Sequence, residues 1–140
     1  MYALRALEAA RTLPDVDASR IAVQGISQGG GITLAAGGLT NGLVAVMPDV
    51  PFLCHFRRAA DICDEPPYTE IIRYLAIHRG VGDSAFTTLS YFDGVSFAKR
   101  ASAPALSSVG LMDQVCPPST VYAAYHAYGG AKGHRRLPVQ

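Results

Sequence analysis

The stretch VQGISQGGG, Val23 to Gly31, decides the fold of this chain. It continues a short apolar run, Ile21-Ala22-Val23, entered from the polar loop Pro14–Ser19. It leads into Gln28–Leu39, whose apolar spacing is helical. Strand, tight turn and helix in that order predict a βα unit. Inside it, Gly25-Ile26-Ser27-Gln28-Gly29 has the form G-x-S-x-G. In that form a serine sits on a sharp, strained strand-to-helix turn with its hydroxyl open to a base. Side chains two residues before and two after the serine would collide across so tight a turn, which predicts a steric need for glycine at both Gly25 and Gly29. The following helix turns its free N–H groups towards the serine and favours negative charge there. Ser27 is therefore a candidate nucleophile, and the N–H of Gln28 a candidate donor to an oxyanion. The pattern is short, and a glycine–serine bend that merely packs a helix close to a sheet would also contain it.

Outward from this turn, three more apolar, β-rich runs stand at Leu43–Met47, Ala105–Gly110 and Arg136–Val139. Helical patterns at Tyr68–Arg79, Val95–Arg100 and Ser119–Tyr128 alternate with them, and MYALRALEAARTL at the start reads as an amphipathic helix. Such alternation predicts βαβ crossovers, hence an α/β fold with a mostly parallel sheet and helices on both faces. The span from Asp49 to Pro104 is too long for one crossover. It reads as a helical insertion at about 50–100, punctuated by Pro66-Pro67, with Tyr68, Ile71, Ile72 and Leu75 on one apolar helix face. No repeat, low-complexity tract or linker divides residues 1–140, so they read as one domain.

In open parallel sheets the ligand site lies outside the carboxyl ends of the strands. Ser27, Asp49 and Asp113 occupy those positions. Asp113, in SVGLMDQVCPPST, stands between a strand and a helix opened by Pro117-Pro118. A carboxylate there can orient an imidazole, the third role in a serine–histidine–acid triad. It can equally be a turn residue or a helix cap. Asp49, in MPDVPF, reads as a residue that shapes the turn before Pro51.

Composition narrows the function classes. Of 140 residues, 49% are hydrophobic and only 16% charged, with a mean hydropathy of +0.18; this suits a buried parallel sheet. A net charge of +1, with Arg57-Arg58 and Arg135-Arg136 as isolated pairs, argues against nucleic-acid or membrane-surface partners. No apolar run is long enough to span a bilayer, and the N-terminus lacks the pattern of a signal peptide. The three cysteines, Cys54, Cys63 and Cys116, form no C-x-x-C. They predict buried thiols in a reducing, cytoplasmic setting and argue against metal binding.

Four longer strings carry more than the five-residue motif: RIAVQGISQGGGITLA (20–35), DVPFLCHFRRA (49–59), LSYFDGVSFA (89–98) and APALSSVGLMDQVCPPSTVYAAY (103–125). Together they resemble the acetyl xylan esterase / cephalosporin C deacetylase family, carbohydrate esterase family 7, within the α/β-hydrolase superfamily. The resemblance implies Ser27 as nucleophile, Gln28 as backbone donor of the oxyanion hole and Asp113 as triad acid. It implies, without metal or cofactor, removal of acetyl groups from small acetylated sugars, xylo-oligosaccharides or cephalosporin C. It also implies a homo-oligomer, a hexamer in the family. Ile26 stands where the family usually has glycine, which should narrow the mouth of the site. By the same resemblance, an N-terminal half with the second oxyanion donor precedes Met1, and the catalytic histidine follows just past Gln140. His134 aligns with the entrance of the last strand, away from the active edge, and His55, His78 and His126 fall on or beside helices. None of them is assigned as the base. The 140 residues are thus expected to be one incomplete catalytic domain, nearly inactive alone. The alternative is a truncated, non-catalytic paralogue serving as a scaffold or oligomerisation partner.

Overall fold

The computed structural model describes residues 2–137, with side chains through His134. Four strands form one parallel sheet in chain order: β1 (Ala22–Ile26), β2 (Ala45–Asp49), β3 (Ala105–Gly110) and β4 (Lys132–Leu137). Seven helices lie among the described residues: α1 (Tyr2–Ala10), α2 (Gln28–Leu39), α3 (Phe56–Ile62), α4 (Thr69–Ile77), α5 (Gly82–Ser90), α6 (Gly94–Ala98) and α7 (Pro118–Ala127). The expected bounds of α2 and β3 match. β1 and β2 start later and run further than their apolar runs. β4 starts earlier, and the expected Pro138 and Val139 lie outside the described residues. The insertion resolves into α3 to α6.

Each crossover advances by one strand in the same direction. With right-handed connections, this places all the crossover helices on one face. α2 packs on β1 and β2, α7 packs on β3, and α6 bridges α2 and α7. The expected α/β fold with a parallel sheet and helices is present, and among the described residues the crossover helices share one face. A second helical layer needs a reversal of strand order, and none occurs among these four strands. The opposite face presents Gln24, Met47 and Leu106, the last 54% exposed.

The main core fills the space between sheet and helices with Leu34, Val46, Ala98, Ala105, Ala124 and Tyr128. A second cluster, Phe56, Ala59, Cys63 and Tyr68, anchors the insertion. There the Tyr68 ring packs 4.5 Å from that of Phe52, and its hydroxyl meets the main chain of Cys54. A third cluster, Val109, Cys116 and Val121, ties α7 to β3 beneath the loop that carries Asp113.

Candidate active site

Ser27 directly follows β1 and opens α2 with φ 55° and ψ −116°. That backbone conformation is costly for any residue with a Cβ, by about 1–3 kcal/mol, and persists only when its surroundings enforce it. Here both main-chain groups are held. The Ser27 N–H donates to the Asp49 carbonyl at 3.0 Å, and the Ser27 carbonyl accepts from Phe52 N–H at 2.9 Å and Gly31 N–H at 3.1 Å. The side chain does not cap α2, so the hydroxyl is not consumed by the helix. Gln28, the first helical residue, is exposed and offers an N–H that the helix itself cannot satisfy.

The glycines divide differently from expectation. A Cβ on Gly25 would meet the Gly29 carbonyl and lie 2.9 Å from Thr33 Oγ1, so glycine is required there. At Gly29 a Cβ would meet nothing within 4 Å, which overturns the steric argument for the second glycine of the motif. The close approaches belong to the next two residues. A Cβ on Gly30 would lie 2.8 Å from the Asp49 carbonyl oxygen and from Pro51 Cα, and one on Gly31 would strike the Phe52 carbonyl. Gly30 and Gly31 let the first turn of α2 lie against the loop between β2 and α3.

Asp113 sits half-buried in the loop after β3. Its Oδ1 accepts from Val115 N–H at 2.9 Å and Cys116 N–H at 2.8 Å, while no hydrogen bond reaches Oδ2 among the described residues. The turn role and the acid role are thus compatible, one oxygen for each. Cys116 lies beside both candidates. Burial pushes its thiol up to about 11, and the Asp113 carboxylate adds to the rise. Asp49 is committed elsewhere: its carboxylate accepts from the Ser108 hydroxyl, whose oxygen accepts the Val50 N–H at 2.9 Å. It shapes the turn, as its sequence context suggests.

Each of the four histidines has another occupation. His134 stands opposite Ser107 in β4, with its ring 5.1 Å from Tyr125 and 6.0 Å from Tyr122 on α7. His126 stacks on Tyr122, and His78 packs 4.5 Å from Tyr74. His55 caps α3, its Nδ1 accepting the Arg58 N–H at 3.3 Å. Among the described residues no three His, Cys, Asp or Glu side chains are grouped to hold a metal ion, and no helix is long and apolar enough to cross a membrane. Sequence reasoning missed two residues: Cys116, buried beneath the Asp113 loop, and Asp93. The sequence signal for Asp93 was its place before a short apolar helix, an N-cap position.

Residues 1–139 match the family described as acetyl xylan esterase (AXE1). The chain is 29% identical over 137 residues to the acetyl esterase Axe7A of Xylanibacter ruminicola, covering 97% of this chain and 30% of that protein. The solved acetyl xylan esterase from Paenibacillus sp. R4 superimposes with a TM-score of 0.92 at 45% identity, over 96% of this chain and 44% of that one. Acetyl xylan esterase 1 from Thermoanaerobacterium sp. JW/SL YS485 gives 0.91 at 37% identity, with the same coverage. The chain spans less than half the length of these relatives. By sequence along nearly its full length, it belongs to the acetyl xylan esterase (AXE1) family.

Proposed function

We propose that this chain carries the nucleophile and the acid of a serine esterase that removes acetyl groups from small acetylated carbohydrates. The observation that carries the reading is Ser27, held at φ 55° at the carboxyl end of β1 with its side chain left out of the helix cap. The Ser27 hydroxyl attacks the ester carbonyl carbon while a base takes its proton, and the Gln28 N–H meets the oxyanion. Collapse expels the sugar alcohol and leaves acetyl-Ser27, which water hydrolyses to acetate and free serine. Asp113, through Oδ2, holds the imidazole in the tautomer that accepts the proton.

The imidazole and the second oxyanion donor come, in this reading, from chain outside the described residues. The 140 residues alone would then turn over acetyl esters at close to the background rate, since one lost oxyanion donor by itself costs about 2.7–4 kcal/mol. The names of the relatives support xylan acetyl esters as substrates, and the acetyl ester of cephalosporin C offers the same bond. A homo-oligomeric assembly belongs to the same proposal. The free, buried thiols of Cys54, Cys63 and Cys116 favour a cytoplasmic setting. The test is a fluorophosphonate probe on the protein with the flanking chain of its relatives: Ser27 should be the labelled residue. Full labelling and acetyl-ester turnover in Ser27→Ala would end the reading.

A further inference from the structure

We propose that Asp93 is a positioning residue for Ser27, acting through the loop between β2 and α3 and not on the substrate. The inference rests on the reading of Ser27 as the nucleophile. The Asp93 carboxylate accepts three main-chain N–H groups from two distant segments. Oδ1 takes those of His55 at 2.8 Å and Val95 at 2.9 Å, and Oδ2 takes that of Phe56 at 2.9 Å. One charged group thereby closes the first turns of α3 and α6 together. The next residue tightens the grip: Gly94 N–H donates to the Leu53 carbonyl at 2.7 Å, and a Cβ on Gly94 would lie 2.7 Å from Cys54 Sγ.

The segment so gripped is strained. Val50, Leu53 and His55 hold φ of 37°, 64° and 52°, angles that residues with a Cβ keep only when their surroundings over-determine them. It is also the segment on which Ser27 rests. Phe52 N–H donates to the Ser27 carbonyl, the Asp49 carbonyl accepts the Ser27 N–H, and Gly30 and Gly31 pack directly on Pro51 and Phe52. The loop is fastened at two ends. Ser108 holds Asp49 and Val50 at one, and Asp93 holds His55 and Phe56 at the other. Hydrogen bonds to a carboxylate are the stronger kind, and Asp93 receives three of them, two from the loop itself, against its relaxation. Without it, residues 53–56 fall back towards ordinary angles, Phe52 follows, and the carbonyl of Ser27 loses its fixed partner. Small displacements of a nucleophile reduce the chemical step far more than they reduce binding.

The test is Asp93→Asn in the protein with its flanking chain, measured per folded molecule. The amide keeps one accepting oxygen but turns N–H groups towards the Phe56 N–H. Expected are falls of about tenfold to a hundredfold in kcat and in the rate of Ser27 phosphonylation. KM should stay within about threefold, and the midpoints of the pH profile should not move, as they would for an acid or base. If Asp93→Asn does not fold, Gly94→Ala, which wedges the same loop at Cys54, should show the same split. Ser27→Ala, run in parallel, separates the two claims. If Ser27→Ala is dead while the variants keep kcat and labelling within about twofold per folded molecule, positioning by Asp93 is overturned and the nucleophile stands. If Ser27→Ala is still labelled and active, the nucleophile reading itself falls.

Discussion

Ser27 keeps a left-handed backbone because its N–H and C=O are claimed from outside, by Asp49 on one side and by Phe52 and Gly31 on the other. Nothing in serine itself prefers that conformation. Asp113 shows the complementary economy, with Oδ1 spent on two turn N–H groups and no hydrogen bond to Oδ2 among the described residues, which suits the proposed acid role. Asp113→Asn should therefore preserve the turn through its remaining carbonyl oxygen. It would present an amide N–H₂ where the imidazole N–H should dock, and kcat should fall by about 10³–10⁴ with little change in melting. A loss smaller than about tenfold would reduce Asp113 to a turn residue. Ser27, Gln28 and Asp113 were legible in the sequence because their signals are local: a turn with its glycine, a helix start, a strand end. Cys116 and Asp93 were not. Asp93 acts across 38 residues to reach His55, and Cys116 matters only because β1 and β3 end on the same side of the sheet.

Among the elements, α2 and β3 were readable to their ends, because glycine and polar punctuation coincide with the limits of the hydrogen-bond pattern. β2 was not. Leu43 is buried but precedes the ladder, and the strand runs on through Pro48, which has no N–H to give. Pro48 is tolerated because β2 registers with β3 at Val46 opposite Ala105, while the Ser108 side chain joins Asp49 and Val50 beyond it. Within the insertion the sequence marked α4 and α6, at Tyr68–Arg79 and Val95–Arg100, but not α3 or α5; α5 buries no residue fully and so shows no core-facing stripe. Nor does alternation of strand and helix encode the direction of successive crossovers, which among the described residues gather their helices on one face. The first turn of α2 yields a sharp comparison. Gly25→Ala drives a Cβ into the Gly29 carbonyl, which cannot retreat without opening the turn, so stability should drop by about 1–3 kcal/mol and probe labelling should vanish. Gly29→Ala, placed in a helix with open space around it, should be neutral or stabilising by up to about 1 kcal/mol. Denaturant midpoints of the two variants decide it. Equal tolerance at both positions would refute the steric account of the turn.

Across the whole molecule, the buried weak acids all shift one way. Burial is the leading cause in each case: it raises the thiols of Cys54, Cys63 and Cys116 and the phenols of Tyr68 and Tyr128. For Cys54 the Asp93 carboxylate adds to the rise, and for Cys116 the Asp113 carboxylate does. The sign follows from proton counting. Cys116 moves from an ordinary 9.0 to about 11, so between those values the folded chain keeps a proton that the unfolded chain has released. Unfolding then releases protons, and stability falls as pH rises. Below pH 9 the contribution is fully present and flat; above it, Cys116 alone should remove about 1.4 kcal/mol per pH unit until its own folded value is reached. The other raised groups steepen the fall over overlapping ranges. Guanidinium unfolding at a series of pH values from 8 to 11 should show a plateau followed by this decline, and Cys116→Ala should decline less steeply whatever its starting stability. The slope is the measured quantity because a cavity at Cys116 lowers every point equally. A stability that stays level through pH 11, or an unchanged slope in Cys116→Ala, would mean that water already reaches the Cys116 thiol. The packing of Cys116 against Val109 and Val121 beneath the Asp113 loop would then not seal it from solvent.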